Sequence, residues 1–567
     1  MSTAENTDLD DLLAIHSLYM VFCTALLPLI LIGISLFYSG LTQRRSSFTM
    51  LIIPTLLSPI VFIDWFIWGY SLCYATASNR FIGSLKFAVL RQLRDPSTLT
   101  YKTTRGEILS VLHFLFNGLM KLICVCLTFP GCIAERGRIL PMLVFLFFWS
   151  CMIYNPVTYW FWNMNGWLST QLDYIPVLDF AGGNCIHVIS GFTGLAYSYL
   201  LGPRNPKILY NYRSSNNGHI VIGTVFIICG WCGFIGGCDF KFSSSAIYIF
   251  INTILCCFVS AIVWMGIDFY FSAIPLGSSE LASESTKNEG NASFSQHNGA
   301  QTKLSDVSRK RKFSMISFSS GAMTGLVVMT PAGGFISSPT EFWKPFVFGV
   351  AGGAIGNLAT RLKYYFNIDD AFDLFAIHGV SGMVSSIMVA IFANDQYGSP
   401  GGWVKGNWIQ LGHQLAGTIA TAVYLFVMSL FFLYIIDIIP GLHLRVDKDF
   451  NKRVRREQTK QKDGEDIELQ SSPGNLDSHI TNSDITSPNS SMNVFEKAEI
   501  LGSDWYEFNG EYNADFMEFI KVINPEDYPN NEESFSIFGE HDTISEHYRS
   551  PDYDLHSGEQ QLIRKRE

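Results

Sequence analysis

Residues 179–191 read DFAGGNCIHVISG, and residues 370–382 read DAFDLFAIHGVSG. In both stretches an aspartate is followed eight residues later by a histidine and then by a serine–glycine pair. Both stretches lie in apolar sequence, where the cost of keeping a histidine inside a membrane makes it a candidate functional residue. Two copies in matching frames indicate an internal repeat with a polar site at the interface between its halves.

The sequence around these motifs is built from long apolar runs, and 48% of the 567 residues are hydrophobic. A helix of about 20 apolar residues crosses the hydrocarbon core of a bilayer. The runs therefore predict an all-α polytopic membrane protein. Its eleven transmembrane helices are predicted at 16–39, 48–73, 108–132, 139–161, 178–202, 218–237, 244–272, 314–335, 344–363, 372–393 and 410–438.

Basic residues mark the loops that follow the odd-numbered predicted helices, as at 44–45 and 309–312. Because cytoplasmic loops are enriched in lysine and arginine, this pattern predicts an outside N-terminus and a cytoplasmic C-terminus. The loop at 74–107 is an exception, since its six basic residues lie on the outer side. With this topology the two histidine motifs begin helices five crossings apart, which predicts a 5+5 inverted repeat plus one helix.

Composition divides the chain into three parts. Residues 1–15 are predicted to be an extracellular N-terminus, and residues 16–438 form a membrane domain with a disordered cytoplasmic loop at 276–312. Residues 439–567 form an acidic, mostly disordered cytoplasmic regulatory tail, which holds 27 of the 49 acidic and 14 of the 39 basic residues. Aromatic residues recur at 501–523, which predicts that this part of the tail docks onto the membrane domain.

The motifs resemble those of the ammonium transporter family, which includes fungal ammonium permeases and Rh proteins. The resemblance covers about residues 16–445, and the long tail resembles the fungal members. Beyond the two histidine motifs, the shared stretches are FYSGL at 37–41, WGYSL at 68–72, AER at 134–136, GWCGF at 230–234 and TPA at 330–332.

The resemblance implies a role for each matching residue. His187 and His378 correspond to the twin histidines that line the family's central pore. The other positions, by implied role, are Phe116, Met120, Trp162 and Cys238 in an outer recruitment vestibule, Phe234 at the inner gate, and Asp179, Asp370 and Asp373 as structural acids.

The function implied by the resemblance is ammonium uptake in nitrogen utilisation. Recruited ammonium or methylammonium gives up a proton, and the neutral molecule passes an apolar pore, because a bare cation is costly to desolvate. The implied setting is a homotrimer in the lipid bilayer of a plasma membrane, with a kinase or another signalling partner at the cytoplasmic tail. The protein is not expected to be an enzyme, and no catalytic residue, metal, cofactor or nucleic-acid partner is predicted.

Several positions depart from the family pattern. Met120 stands where the family has a gate phenylalanine, and Cys238 stands where it usually has a hydroxyl. Lys121 places a charge near the middle of a predicted helix, where Asp64 is a candidate partner. His113 is interpreted as an ordinary polar residue.

Four alternatives accompany these interpretations. A sensor of the same fold, with weak or gated flux, would signal through its tail. A membrane metalloenzyme would need Asp179, His187, Asp373 and His378 to converge as ligands. Asp179 is also well suited to cap a helix, and Trp162 to anchor one at the membrane interface.

Overall fold

The computed structural model describes residues 3–93, 99–103, 105–172, 174–209, 212–272, 311–452 and 494–508. The predicted disordered loop at 276–312 therefore lies outside the described residues except at its last two positions. The same holds for the predicted tail, of which only residues 439–452 and 494–508 are described.

The described chain is mostly helical. Its helices up to the first long gap are α1 (Thr3–Leu41), α2 (Arg44–Asp64), α3 (Tyr70–Tyr74), α4 (Ser110–Ile133), α5 (Ile139–Trp149), α6 (Asn155–Trp162), α7 (Ile189–Leu201), α8 (Pro206–Leu209), α9 (Asn217–Gly237) and α10 (Ser244–Phe271). Those after it are α11 (Met315–Met329), α12 (Trp343–Ala359), α13 (Leu362–Tyr365), α14 (Ser381–Phe392), α15 (Ile409–Ile438), α16 (Val494–Leu501) and α17 (Ser503–Phe508).

Within the described residues, eight helices, some of them kinked, are long and apolar enough to cross a membrane. The helix Met315–Met329 is apolar but shorter. Large apolar side chains such as Leu18, Ile262 and Val427 point outward from these helices. Apolar residues that face out from such long helices match the surface of a lipid-embedded bundle. The chain is therefore an all-α polytopic membrane protein.

Among the described residues, four π-helical turns lie within or at the start of the long helices, at Trp65–Gly69, Ser150–Tyr154, Gly183–Val188 and Phe375–Val380. The last two hold His187 and His378, one in each copy of the histidine motif. A π turn widens the helix locally and occurs often at functional sites. Both histidines therefore lie on backbone that departs from regular α-helix.

The helices that carry the two motifs begin later than their apolar runs indicate. The predicted starts at 178 and 372 are wrong, because the π turns begin at Gly183 and Phe375. Gly182 has a φ of 119°, and Asp373 has a φ of 55°. Left-handed backbone of this kind cannot continue a right-handed helix, so Gly182 and Asp373 lie outside the helices that follow them.

Small residues allow the closest packing between helices. A Cβ on Gly33 of α1 would lie 2.7 Å from the carbonyl oxygen of Gly223 in α9. Glycines at such positions let helix backbones approach each other in lipid, where no hydrophobic force draws the helices together. The α1–α9 contact therefore depends on them.

A β-hairpin in the 74–107 loop region was not expected from the sequence. Strand β1 (Thr100–Lys102) pairs antiparallel with β2 (Glu107–Leu109), with Tyr101 opposite Ile108. Strand β2 runs directly into α4, so the hairpin is fixed at the start of that helix. The hairpin covers one end of the helix bundle, which is called the hairpin face below. The opposite end, where α16 and α17 pack, is called the tail face.

Candidate functional site

The two motif histidines meet in the interior of the protein. The Nδ1 atoms of His187 and His378 lie 3.2 Å apart, and the ring planes differ by 16°. His187 is fully buried, and His378 is 2% exposed. The structure thus joins the two histidine motifs through one imidazole–imidazole hydrogen bond.

The contacts of Thr330 and Trp231 determine which nitrogen atoms of the histidine pair carry a proton. The Thr330 hydroxyl lies 3.1 Å from His187 Nε2, accepts from Trp231 Nε1 at 3.2 Å and donates to the Leu326 carbonyl at 2.8 Å. With its only proton given to Leu326, the hydroxyl must accept from His187, so Nε2 carries the proton there. His187 Nδ1 is then an acceptor, and His378 Nδ1 donates. This assignment satisfies every contact of the hydroxyl.

An aspartate caps each π turn that carries a histidine. The Asp179 carboxylate accepts backbone N–H groups of Gly182, Gly183 and Asn184, each at 2.7 Å, and a longer one from Cys185. A carboxylate at the start of a helix satisfies N–H groups that have no partner within it. The geometry therefore gives Asp179 a capping role, which was one of the sequence-based alternatives.

Asp370 holds the second π turn in the same way. Its Oδ2 accepts from the backbone N–H of Phe375 at 2.7 Å. Asp373 instead forms an ion pair with Lys363, with 2.8 Å between Oδ1 and Nζ. Asp373 therefore faces away from the histidines.

A cavity of about 60 Å³ opens toward the hairpin face. Met120, Trp162, Asp179 and Cys238, which are four of the expected site residues, line this vestibule. Trp162 Nε1 donates to the Asp179 carbonyl at 3.1 Å. The tryptophan is thus held in the wall by a buried acceptor and is not only an interfacial anchor.

Two other expected residues lie behind this wall. Phe116 is fully buried and does not line the vestibule; it packs edge-on against Phe240. A Cβ on Gly237 would lie 2.5 Å from the Phe116 ring, which shows how closely α4 and α9 approach there. Phe234 is also fully buried and packs edge-on against Trp231, whose ring stacks on His187.

The vestibule also contains residues that the sequence did not single out. His113, interpreted as an ordinary polar residue, lines it and stacks on Tyr101 with ring centroids 4.1 Å apart. Arg105 lines it as well, with its guanidinium over the Phe180 ring. The excess of basic residues in the 74–107 loop was the only sequence signal for Arg105.

Two further cavities lie between the histidines and the tail face. A small one of about 10 Å³, lined by Tyr38, Phe372, Ile377 and His378 among others, has room for about one water molecule. A larger one of about 590 Å³ shares Phe372 and Ile377 with it and also reaches Asp373. The path beyond His378 is therefore narrow and apolar before it widens.

The predicted Lys121–Asp64 pair is confirmed. Lys121 Nζ lies 2.5 Å from Asp64 Oδ2, 2.6 Å from Ser150 Oγ and 3.1 Å from Asn155 Oδ1. Lys121 is fully buried, so the charge neither snorkels to an interface nor enters the vestibule. Trp68 donates to the other Asp64 oxygen, which completes the cluster.

In the part of the chain that the structure describes, no three His, Cys, Asp or Glu side chains converge as metal ligands would. Asp179 and Asp373, two of the four ligands that the metalloenzyme alternative requires, are engaged by backbone N–H groups and by Lys363. Among the described residues, the metalloenzyme alternative therefore lacks a set of metal ligands.

The chain matches the family described as Ammonium Transporter Family over residues 18–275 and 269–455. It is 36% identical over 440 residues to Ammonium transporter 1 of Schizosaccharomyces pombe, covering 76% of this chain and 78% of that protein. It is 33% identical to Ammonium transporter MEP2 of Saccharomyces cerevisiae, covering 74% and 76%. Its fold resembles that of Candida albicans Mep2, with a TM-score of 0.64, 29% identity, and 77% and 87% of the two chains covered. The chain therefore belongs to the ammonium transporter family, whose members are membrane transporters and not enzymes.

Proposed function

We propose that the protein transports ammonium across the plasma membrane, through a pore in which His187 and His378 are the polar contacts. Membership of the ammonium transporter family supports ammonium as the substrate. We propose methylammonium as a second substrate. The observation that carries the mechanism is the 3.2 Å contact between the Nδ1 atoms of the two histidines. A hydrogen-bonded histidine pair beside a narrow apolar cavity supports this mechanism.

The energetics of a cation favour deprotonation before passage. An ammonium ion would lose its hydration in the apolar path near Phe372 and Ile377, at a cost that no side chain there offsets. Ammonia lacks the charge and faces a much smaller barrier. In the vestibule, aromatic faces and backbone carbonyls attract the cation. Ammonium therefore binds outside the pair, and ammonia passes it.

The histidine pair suits a pore in which ammonium binds outside the pair and ammonia passes it. Both nitrogens of His187 are engaged, one by Thr330 and one by His378, so Nε2 of His378 is the nitrogen that can bind a passing ammonia molecule. The Thr330 contact leaves His378 Nε2 without a proton in the assignment above. His378 also lines the small cavity of about 10 Å³ on the tail-face side of the pair.

We infer eleven crossings in a 5+5 inverted repeat with one added helix, an outside N-terminus and a cytoplasmic tail. The matching π turns with one histidine each support the repeat. The basic residues of the odd-numbered loops support the orientation, which places the hairpin face outside. An epitope tag before Thr3 that antibodies reach in intact cells would test this topology. We also infer a homotrimer, which chemical crosslinking of membranes tests.

Transport itself is tested by uptake of radiolabelled methylammonium into liposomes that contain the purified protein. We expect saturable uptake that ammonium inhibits competitively and potassium does not. Uptake equal to that of protein-free liposomes, from protein that is still oligomeric, would contradict the proposal.

A second candidate function, ammonium sensing with gated flux, is favoured by the contacts of the tail. Asp504 of α17 accepts the backbone N–H groups of Phe48 and Thr49 near the start of α2, at 3.1 and 2.7 Å. Glu507 accepts the N–H of Ile139, the first residue of α5, at 2.9 Å. Carboxylates favour helix N-termini, so these contacts fix the tail segment to two membrane helices.

A third contact completes this docking. Glu499 pairs with Arg445, whose guanidinium also donates to the carbonyls of Leu201 and Pro203. Burial raises the pKa of Asp504 and that of Glu507 in the docked segment. Docking therefore takes up protons, and it strengthens as the pH falls through these raised values toward those of a free carboxyl group. A kinase or another signalling partner would act on this segment or on the linker before it.

Comparing the full chain with a chain ending at Lys452 and with Asp504→Asn separates the two functions. A sensor loses its nitrogen-dependent signal in both variants while its methylammonium uptake changes little. A permease without signalling shows no change of signal in either. Trp505→Ala, on an exposed side chain of the same helix, is the matched control.

A further inference from the structure

Arg105 holds a positive charge inside the vestibule. Two residues before it lies Thr103, whose hydroxyl accepts the backbone N–H groups of Arg105 and Gly106, each at 3.1 Å. The Thr103 N–H in turn donates to the Gly106 carbonyl at 2.9 Å. This tight turn joins β1 to β2 and directs the arginine from the hairpin down into the cavity.

The guanidinium contacts two carbonyl oxygens and an aromatic ring that could also bind a small cation. Its Nη1 donates to the Cys238 carbonyl at 2.7 Å, and Nη2 lies 3.4 Å from the Asp179 carbonyl. Its centre stands 4.2 Å from the centroid of the Phe180 ring. Carbonyl oxygens and an aromatic face are the groups that bind a desolvated monovalent cation.

These acceptors belong to the wall in which an incoming ammonium ion would be bound. The Asp179 carbonyl also accepts from Trp162, so a free cation and Arg105 would share an oxygen that already has one donor. The other charged groups of this region are Asp179, whose carboxylate caps the π turn at Gly183, Asp239, whose carboxylate accepts from Ser243, and Lys241, whose ammonium lies over Tyr397.

We propose that Arg105 is a tethered competitor of the transported cation and sets the affinity of the vestibule. This inference rests on the proposed function. An ammonium ion binds only when the guanidinium leaves the Cys238 and Asp179 carbonyls, because two like charges within a few ångströms repel each other. The ligands affected are small monovalent amines, namely ammonium and methylammonium.

A purely structural role for Arg105 makes a different prediction. If the arginine only holds the hairpin over the bundle, removing it loosens β1 and β2, and cation binding stays the same or weakens. If it competes, removing it frees two carbonyls and strengthens binding. The sign of the change in affinity therefore distinguishes the two roles.

The test is calorimetric titration of the purified full-length protein with ammonium chloride, with sodium chloride as the reference titration. We expect Arg105→Ala to bind ammonium about tenfold more tightly, since one charge-assisted contact no longer has to be displaced. Arg105→Lys keeps the charge and is expected to stay near the wild-type affinity. An Arg105→Ala affinity equal to or below that of the wild type would overturn the proposal.

Two controls keep the result interpretable. Arg80→Ala removes a cation of the same loop that lies over Tyr174, which is outside the vestibule lining, and should leave the affinity unchanged. The melting temperature and oligomeric state of each variant exclude unfolding as the cause. Because calorimetry needs no flux, a protein that carries no ammonium current can still show tighter binding in Arg105→Ala. Failure of the transport proposal and failure of this inference are thereby distinguishable.

Discussion

A β-carbon on Gly191 would stand 2.2 Å from the α-carbon of Gly379. The two backbones therefore touch one turn beyond His187 and one residue beyond His378. No side chain fits between them. This contact brings the two motif segments close enough for their imidazoles to form a hydrogen bond.

We predict that Gly191→Ala separates the histidines and abolishes transport. The added methyl group forces the backbones apart, and overpacking of this kind costs about 1–3 kcal/mol of stability. Methylammonium uptake and the melting temperature are the measurements. Gly266→Ala is the control, because a Cβ on Gly266 would meet no atom within 4 Å. Uptake at the wild-type rate in Gly191→Ala would show that the contact is dispensable.

Thr330→Val should slow transport without unfolding the protein. The valine has the same shape but leaves His187 Nε2 and Trp231 Nε1 without their shared acceptor. The proton of His187 is then no longer held on Nε2. We expect a fall in maximal uptake of about tenfold, which corresponds to the loss of one buried hydrogen bond. Thr324→Val on the same helix is the control, since its hydroxyl bonds only to the Ser320 carbonyl. An equal loss in both variants would exclude a specific role for Thr330.

The Lys121–Asp64 cluster should be structural. Lys121→Met leaves the Asp64 carboxylate buried without its cation, which lowers the free energy of unfolding by about 3 kcal/mol. The double variant Asp64→Asn/Lys121→Met removes both charges and should recover most of that loss. Lys452→Met, at an exposed lysine, is the control. If the double variant is less stable than Lys121→Met alone, the cluster does not act as an ion pair.

The ion pairs at the tail face predict a pH dependence of stability. Burial would raise the pKa of Asp369, but Arg136 and Arg204 outweigh it and hold that pKa well below its usual range. A depressed carboxyl pKa contributes stability above the ordinary value near 3.9, and the contribution is lost as the pH falls through the depressed value. The difference in unfolding free energy between wild type and Asp369→Asn should be constant from about pH 5 to 8 and should shrink in stronger acid. A difference that shrinks near neutral pH would contradict this assignment.

The sequence was sufficient to predict which histidines meet. His187 and His378 share one spacing pattern in two apolar segments, and a histidine in such segments is rare enough to stand out. The Lys121–Asp64 pair was predictable for the same reason, since a buried charge in a membrane helix requires a partner. Apolar length also predicted most of the helices.

The remaining features depend on backbone geometry that composition does not encode. The sequence of residues 179–191 does not distinguish a π turn from an α-helix. The predicted starts of the two motif helices are therefore too early. Thr330 reaches His187 from a distant helix, and only the fold reveals that contact. In the sequence, Arg105 is one of several basic residues of the loop. Only the hairpin geometry shows that it enters the vestibule.

The most direct test of the account is the ammonium-evoked current in liposomes that contain the purified protein, compared with the His187→Ala/His378→Ala variant. The account predicts a saturable current in the wild type that the double variant lacks, while both proteins keep the same oligomeric state. A current of equal size in both proteins would contradict the claim that ammonium transport depends on the histidine pair.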